Sequence, residues 1–169
     1  FKRQFWHFLV GLVGLFIMAG IDYRLWKKFA FPLLLLTIGL LLLVFVPALT
    51  IQVGVAKSWL NFGLFSLQPS EVAKLTMLIY LAAWFENRGH GVKDFMYGIV
   101  PFVVVFGLIV GLIALQPDVG TMAIIVLIGF AVLFAAGARW QHMLLLTSAG
   151  VAGLWALIKL APYRAARLS

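Results

Sequence analysis

Six apolar runs, each at or near the length that crosses a bilayer, fix most of what this chain can become. They cover roughly Phe5–Ile21, Phe29–Leu49, Pro69–Phe85, Phe95–Leu115, Asp118–Gly137 and Trp140–Ala161. About 20 residues of helix span the ~30 Å hydrocarbon core, so the first and third runs need their flanking residues. Helix is the expected element, because every backbone group must find its partner inside the segment, and a membrane barrel would show short alternating stretches instead. Composition agrees, with 64% hydrophobic and 11% charged residues among 169. Soluble domains run near ~45–50% and ~25%. A chain this short cannot hide that much apolar surface within itself. The expected fold is all-α and integral to the membrane: a polytopic bundle of six transmembrane helices forming one domain over 1–169.

The charges choose an orientation. Arg24, Lys27, Lys28, Arg88, Lys93 and Arg139 lie in the first, third and fifth connectors, against Lys57 alone in the second and fourth. The positive-inside rule then puts Asp22–Lys28, Glu86–Asp94 and Ala138–Gln141 in the cytoplasm, with Thr50–Gln68 and both chain ends outside. Lys2, Arg3, Arg164 and Arg167 in the tails vote the other way. The formal charge of +8 suits anionic headgroups, so membrane lipids are expected partners. With neither a basic stripe nor exposed stacking aromatics, nucleic acid is not one. The chain has no cysteine, which removes disulfides, thiolate metal sites and a cysteine nucleophile. It opens on Phe1 and closes on Ser169 after a basic run, and is expected to be an internal piece of a longer protein.

Trp26, Trp84 and Trp140 fall at the expected inner boundary and Trp6, Trp59 and Trp155 toward the outer one, as an interfacial belt requires. Pro32 and Pro101 are expected near span starts, where a missing N–H costs least. Gly11, Gly14, Gly107, Gly111 and Gly129 are expected to admit close helix contacts.

Two strings concentrate the polar chemistry: Gln68-Pro69-Ser70-Glu71-Val72-Ala73-Lys74 and Gln116-Pro117-Asp118-Val119-Gly120-Thr121. Each stands where a span begins on the outer side. Proline is preorganised at a first helical position, and an acid in the first turn meets the positive end of the helix dipole. Glu71 and Lys74, three apart, share a helix face. Good capping of two membrane helices explains either string alone. Together they bring Glu71, Lys74 and Asp118 to the edge of the hydrocarbon, where ionisable groups face protein or a watery cavity. Two helix N-termini on one surface also favour a phosphate or pyrophosphate. The outer loop adds Lys57 and Trp59, and the tail adds Arg164 and Arg167, whose forks suit phosphate oxygens. His7, His90 and His142 are scattered, so a histidine metal triad is not expected.

With these strings in view the chain resembles the SEDS family (shape, elongation, division and sporulation), the RodA/FtsW type. The resemblance rests on Ala56-Lys57-Ser58-Trp59-Leu60 with Gly63, on Gln68-Pro69-Ser70-Glu71 with Lys74, and on Gln116-Pro117-Asp118 with Gly120-Thr121. It extends to Arg3-Gln4 and to Pro162-Tyr163-Arg164 with Arg167, so its order covers nearly the whole chain. Many members carry Arg before the loop tryptophan, where this chain has Ser58. Ala136-Gly137-Ala138-Arg139 and Pro162-Tyr163-Arg164 look more like the division than the elongation branch.

The resemblance implies a glycosyltransferase of the bacterial cytoplasmic membrane that polymerises lipid II into glycan strands for the cell wall. It implies a class B penicillin-binding protein as partner, and a ten-helix fold of which this chain holds the second to seventh. The family's catalytic aspartate would follow Ser169, so no catalytic residue is assigned here and the chain alone is expected to be inactive. Expected substrate-binding residues are Lys57, Trp59, Gln68, Ser70, Glu71, Lys74, Gln116, Asp118, Thr121, Arg164 and Arg167. Glu71 and Asp118 are expected to position Lys74 and the helix ends, or to hold a divalent cation; no cofactor is otherwise assigned. The alternatives are a lipid II flippase and a non-catalytic scaffold of the same machinery. A transport site would sit near the midplane, where the spans offer only Thr37, Thr76, Thr147 and Ser148.

Overall fold

The computed structural model describes residues 2–53, 56–61, 63, 66–116 and 118–160, leaving the side chains of 2–4, 6–7, 51–53, 56–57, 90 and 154–160 outside the description. Six α-helices follow one another: α1 (Lys2–Gly20), α2 (Tyr23–Leu43), α3 (Pro69–Arg88), α4 (Val100–Leu115), α5 (Val119–Ala135) and α6 (Trp140–Leu160). Among the described residues two helical segments, Tyr23–Leu43 and Phe95–Leu115, are long and apolar enough to cross a membrane, and Phe8–Gly20 and Val119–Ala135 are shorter apolar helices.

Five of the six helices follow the apolar runs closely; α2 is shifted toward the N-terminus. It begins at Tyr23 because the Asp22 carboxylate accepts from the Arg24 amide at 2.9 Å and caps the helix ahead of its apolar stretch. It stops at Leu43 because the residue before a proline is biased out of the helical region, and Val46 is extended before Pro47. The Thr50 hydroxyl then lies 2.7 Å from the Val44 carbonyl and 2.8 Å from that of Val46, serving groups the helix end leaves open. The earlier start moves Pro32 from the expected span start into the interior of α2, where it removes the amide that would have met the Lys28 carbonyl.

The segment between α2 and α3, expected as loop, carries a three-stranded antiparallel sheet, β1 (Thr50–Val53), β2 (Ala56–Asn61) and β3 (Ser66–Leu67), in that spatial order. Strands this short, with a register shift between Ile51 and Val53, leave almost no alternating pattern to read. Ser58 and Leu60 on one face of β2 are buried, and β2 rests on α3.

At the other end α4 is entered through one π-helical turn, Phe95–Ile99, capped by the Asp94 carboxylate, which accepts from the Met96 and Tyr97 amides at 2.8 and 3.0 Å. The π turn leads directly to Pro101, which has no amide to give the preceding turn. A Cβ on Gly98 would lie 2.7 Å from the carbonyl oxygens of Gly91 and Val92, so only glycine lets this turn close on the segment before it.

α3 is the central rod. It packs on α2 along one side and on α5 along the other, and Leu41, Met77, Leu81, Ile109, Ile113, Ile125 and Leu133 fill the interior. In lipid this interior gains from close packing rather than from withdrawal of water. Of the glycines expected at helix contacts, Gly129 alone meets a neighbouring helix closely among the described residues, with its missing Cβ position 2.4 Å from the Phe106 ring. Gly11, Gly14, Gly107 and Gly111 face open space. Phe106 in turn stacks on Phe102, centroids 5.0 Å apart. α1 makes no extensive contact with another helix among the described residues, and α6 touches α5 lightly. Their outward faces, with Phe16, Leu127 and Phe134 of the bundle, are exposed apolar surface of the kind lipid covers.

Candidate functional site

The two polar strings meet. Pro69 opens α3 and Asp118 caps α5, and both helix starts stand at the same end of the bundle. Asp118 Oδ1 accepts from its own helix, at the Thr121 amide, 3.2 Å away. Its Oδ2 accepts from the Gln68 side-chain amide at 2.9 Å and from the Ser70 hydroxyl at 3.1 Å. One carboxylate therefore caps α5 and binds the start of α3. Gln68 makes no side-chain cap on its own helix; the side chain crosses to Asp118 instead. Ser70 is fully buried and Thr121 nearly so, which fits a structural tie better than contact with a ligand.

Gln116, expected to bind substrate, is buried as well. Its amide donates to the Leu41 carbonyl at 3.1 Å, joining the end of α4 to the end of α2. Its Oε1 has no hydrogen-bond partner among the described residues. The sequence carried no sign that this glutamine points inward rather than to the surface. One layer deeper the Thr37 hydroxyl donates to that of Thr76 at 2.9 Å, a buried pair joining α2 and α3.

Beside this knot lies an accessible ion pair. Lys74 Nζ is 2.7 Å from Glu71 Oε1, and both side chains remain partly open to solvent. Glu71 thus pairs with Lys74, while the Asp118 carboxylate is taken up by Gln68, Ser70 and the Thr121 amide. Trp59 stands half-buried on β2 above α3. The side chain of Lys57, and Arg164 and Arg167 altogether, lie outside the described residues. Among the described residues no group of three or more His, Cys, Asp or Glu side chains is close enough to share a metal ion.

The opposite end carries a tie that sequence reasoning missed. Lys27 Nζ of α2 is 3.2 Å from Glu86 Oε1 of α3. Glu86, expected in the third connector, lies within α3 instead, which runs on to Arg88, whose guanidinium lies over the Trp84 ring at 4.8 Å. Opposite charges in two connectors assigned to one membrane side were the available signal.

A family model described as "Cell cycle protein", FTSW_RODA_SPOVE, matches residues 1–169. The chain belongs to the FtsW/RodA/SpoVE family. It is 34% identical over 168 residues to the probable peptidoglycan glycosyltransferase FtsW of Geobacter sp. (strain M18), covering 99% of this chain and 46% of that protein. It superposes with a TM-score of 0.80 and 28% identity on a chain from a structure described as structural coordination of polymerization and crosslinking by a peptidoglycan synthase complex, covering 99% of this chain and 49% of that one. The rod shape determining protein RodA of Thermus thermophilus gives a TM-score of 0.75 at 30% identity, over 94% of this chain and 49% of that one. The chain spans about half the length of the family members it matches.

Proposed function

We propose that this chain is the substrate-framing membrane portion of a peptidoglycan glycosyltransferase that polymerises lipid II, on the division side of its family. The observation that carries the reading is the pairing of an exposed Glu71–Lys74 ion pair with a buried knot around Asp118, at the start of two helices on one end of the bundle. The family membership and the FtsW relative support the reaction class. Polymerisation needs positive charge against a departing pyrophosphate. Lys74, steered by Glu71, supplies it from α3, with Lys57, Arg164 and Arg167 as further cations of the same outer surface. Asp118, Ser70, Gln68 and Thr121 position the two helix starts, whose amides add favourable field for an anion, and Gln116 ties α4 to α2 beside them. Trp59 borders the lipid-linked ligand from the loop sheet.

The reading takes all six helices as spans of the bacterial inner membrane, in a single domain, with the Asp118 end outside and the Lys27–Glu86 end inside. It takes a class B penicillin-binding protein as partner, by analogy with the crosslinking named for the synthase complex. Transport of the lipid precursor has less support, because the described midsections hold hydroxyls such as the Thr37–Thr76 pair and no charge.

The deciding experiment is lipid II polymerisation by the purified full-length protein with its transpeptidase, the transpeptidase serine being disabled. Glycan strands that disappear in a folded Glu71→Ala, Lys74→Ala double variant are expected. Near-parental strand synthesis by that variant overturns the assignment of the ion pair. Absence of strands from a folded parental complex that binds lipid II overturns the reaction.

A further inference from the structure

A groove of about 450 Å³ opens between the end of α1, the start of α2 and the second half of α3. Met18 of α1 and Leu75, Leu78 and Ala82 of α3 line its length, while Trp26 and Lys27 of α2 stand at its mouth. Leu75 and Leu78 are roughly half exposed, an apolar floor with no protein over it among the described residues. From Leu75 to Glu86 the groove follows α3 for about 16 Å at 1.5 Å per residue. That is about half of a ~30 Å hydrocarbon core, the depth of one leaflet. Its lining is almost wholly apolar until the mouth, where Lys27 pairs with Glu86; outside the lining, Arg24 and Lys28 flank the mouth with no acid within salt-bridge distance among the described residues, and Asp22 caps α2 at the Arg24 amide. Trp26, amphipathic, lies at the level where indoles favour headgroups.

We infer that this groove is a binding site for an anionic phospholipid of the inner leaflet, its acyl chains on Met18, Leu75, Leu78 and Ala82 and its phosphate at Lys27. The one-leaflet depth favours a diacyl phospholipid over a longer polyprenyl chain. Counting the flanking residues, three cations (Lys27, Arg24 and Lys28) stand against two acids (Glu86 and Asp22), which favours an anionic headgroup over a zwitterionic one. The site stands at the end of the bundle opposite Asp118 and uses none of the residues assigned to the reaction. It rests on the reading that this end lies at the inner membrane boundary.

The test is lipid retention by the full-length protein in detergent, read by native mass spectrometry with added dioleoylphosphatidylglycerol or dioleoylphosphatidylcholine. Micelles have no sidedness and no glycan is made, so the outcome is independent of orientation and of activity. Phosphatidylglycerol is expected to be retained in preference, about fivefold more weakly by Lys27→Gln, which removes one surface cation. Leu78→Trp, which fills the groove from α3 and leaves the charges, is expected to abolish retention of both lipids while leaving the helical circular dichroism unchanged. Equal retention of the two lipids overturns the proposal, as does parental retention by Leu78→Trp. Displacement of bound phosphatidylglycerol by equimolar undecaprenyl phosphate also overturns it, assigning the groove to a polyprenyl chain.

Discussion

Ser70 and Asp118, 48 residues apart in the chain, are joined by a hydrogen bond of 3.1 Å between the start of α3 and the start of α5. Ser70 is wholly buried, and the oxygen it meets also accepts from Gln68. Asp118→Ala removes the α5 cap and leaves two donors unmatched. A cap contributes about 1 kcal/mol and an orphaned buried donor about 1–3 kcal/mol. A loss of roughly 2–4 kcal/mol is expected in denaturant titration of the purified protein, with Asp118→Asn losing less because it keeps an acceptor oxygen.

Glu71 and Lys74 are expected to behave in the opposite way. A partly exposed pair three residues apart on a helix contributes only about 0.2–0.5 kcal/mol. Glu71→Gln and Lys74→Gln in the full-length protein should therefore unfold with the parent while glycan synthesis falls at least tenfold. Thermal unfolding and strand length measured on the same preparations separate the two effects.

Gly129 tests the α4–α5 contact. Gly129→Ala places a methyl carbon about where the Phe106 ring edge stands, and that ring is fixed by its stack on Phe102. Overpacking of this kind costs about 1–3 kcal/mol. Phe106→Leu in the same chain should recover part of the loss, and failure of that rescue would place the strain elsewhere.

The Thr37–Thr76 bond offers a double-mutant cycle. Either threonine replaced by valine strands the other hydroxyl between α2 and α3, whereas replacing both removes the pair. Each single change should cost more than half of the double change, with a coupling near 0.6 kcal/mol, the usual value inside membrane proteins. A coupling of zero in denaturant titration would mean that the hydroxyls find other partners.

The helices were legible because apolar runs bounded by charge leave the backbone little choice in lipid, and α1, α3, α5 and α6 begin or end within a few residues of those runs. The start of α2 was not, because Asp22 and its basic first turn extend the helix beyond the apolar stretch that hydropathy detects. The loop sheet escaped because Ser66–Leu67 and its partners are too short to show a period. The two strings marked residues that the fold brings to one end of the bundle, without dividing their work. A glutamine or serine in a helix start reads the same whether it faces solvent or, like Gln116 and Ser70, a neighbouring helix. Only the tertiary contact separates Asp118, taken up by three donors, from Lys74, left reachable.

The central helix is fastened at both extremities: to α5 by Asp118 at one, to α2 by the Lys27–Glu86 pair at the other. Sliding it by one turn, about 5.4 Å, would break both fastenings together. α3 is held more firmly at its buried Asp118 end than at the partly exposed Lys27–Glu86 pair. The compliance of the assembly belongs to α1 and α6, whose described residues carry no comparable anchor. Relative motion of the helices is therefore expected first at the flanks of the bundle, around the more firmly held α3.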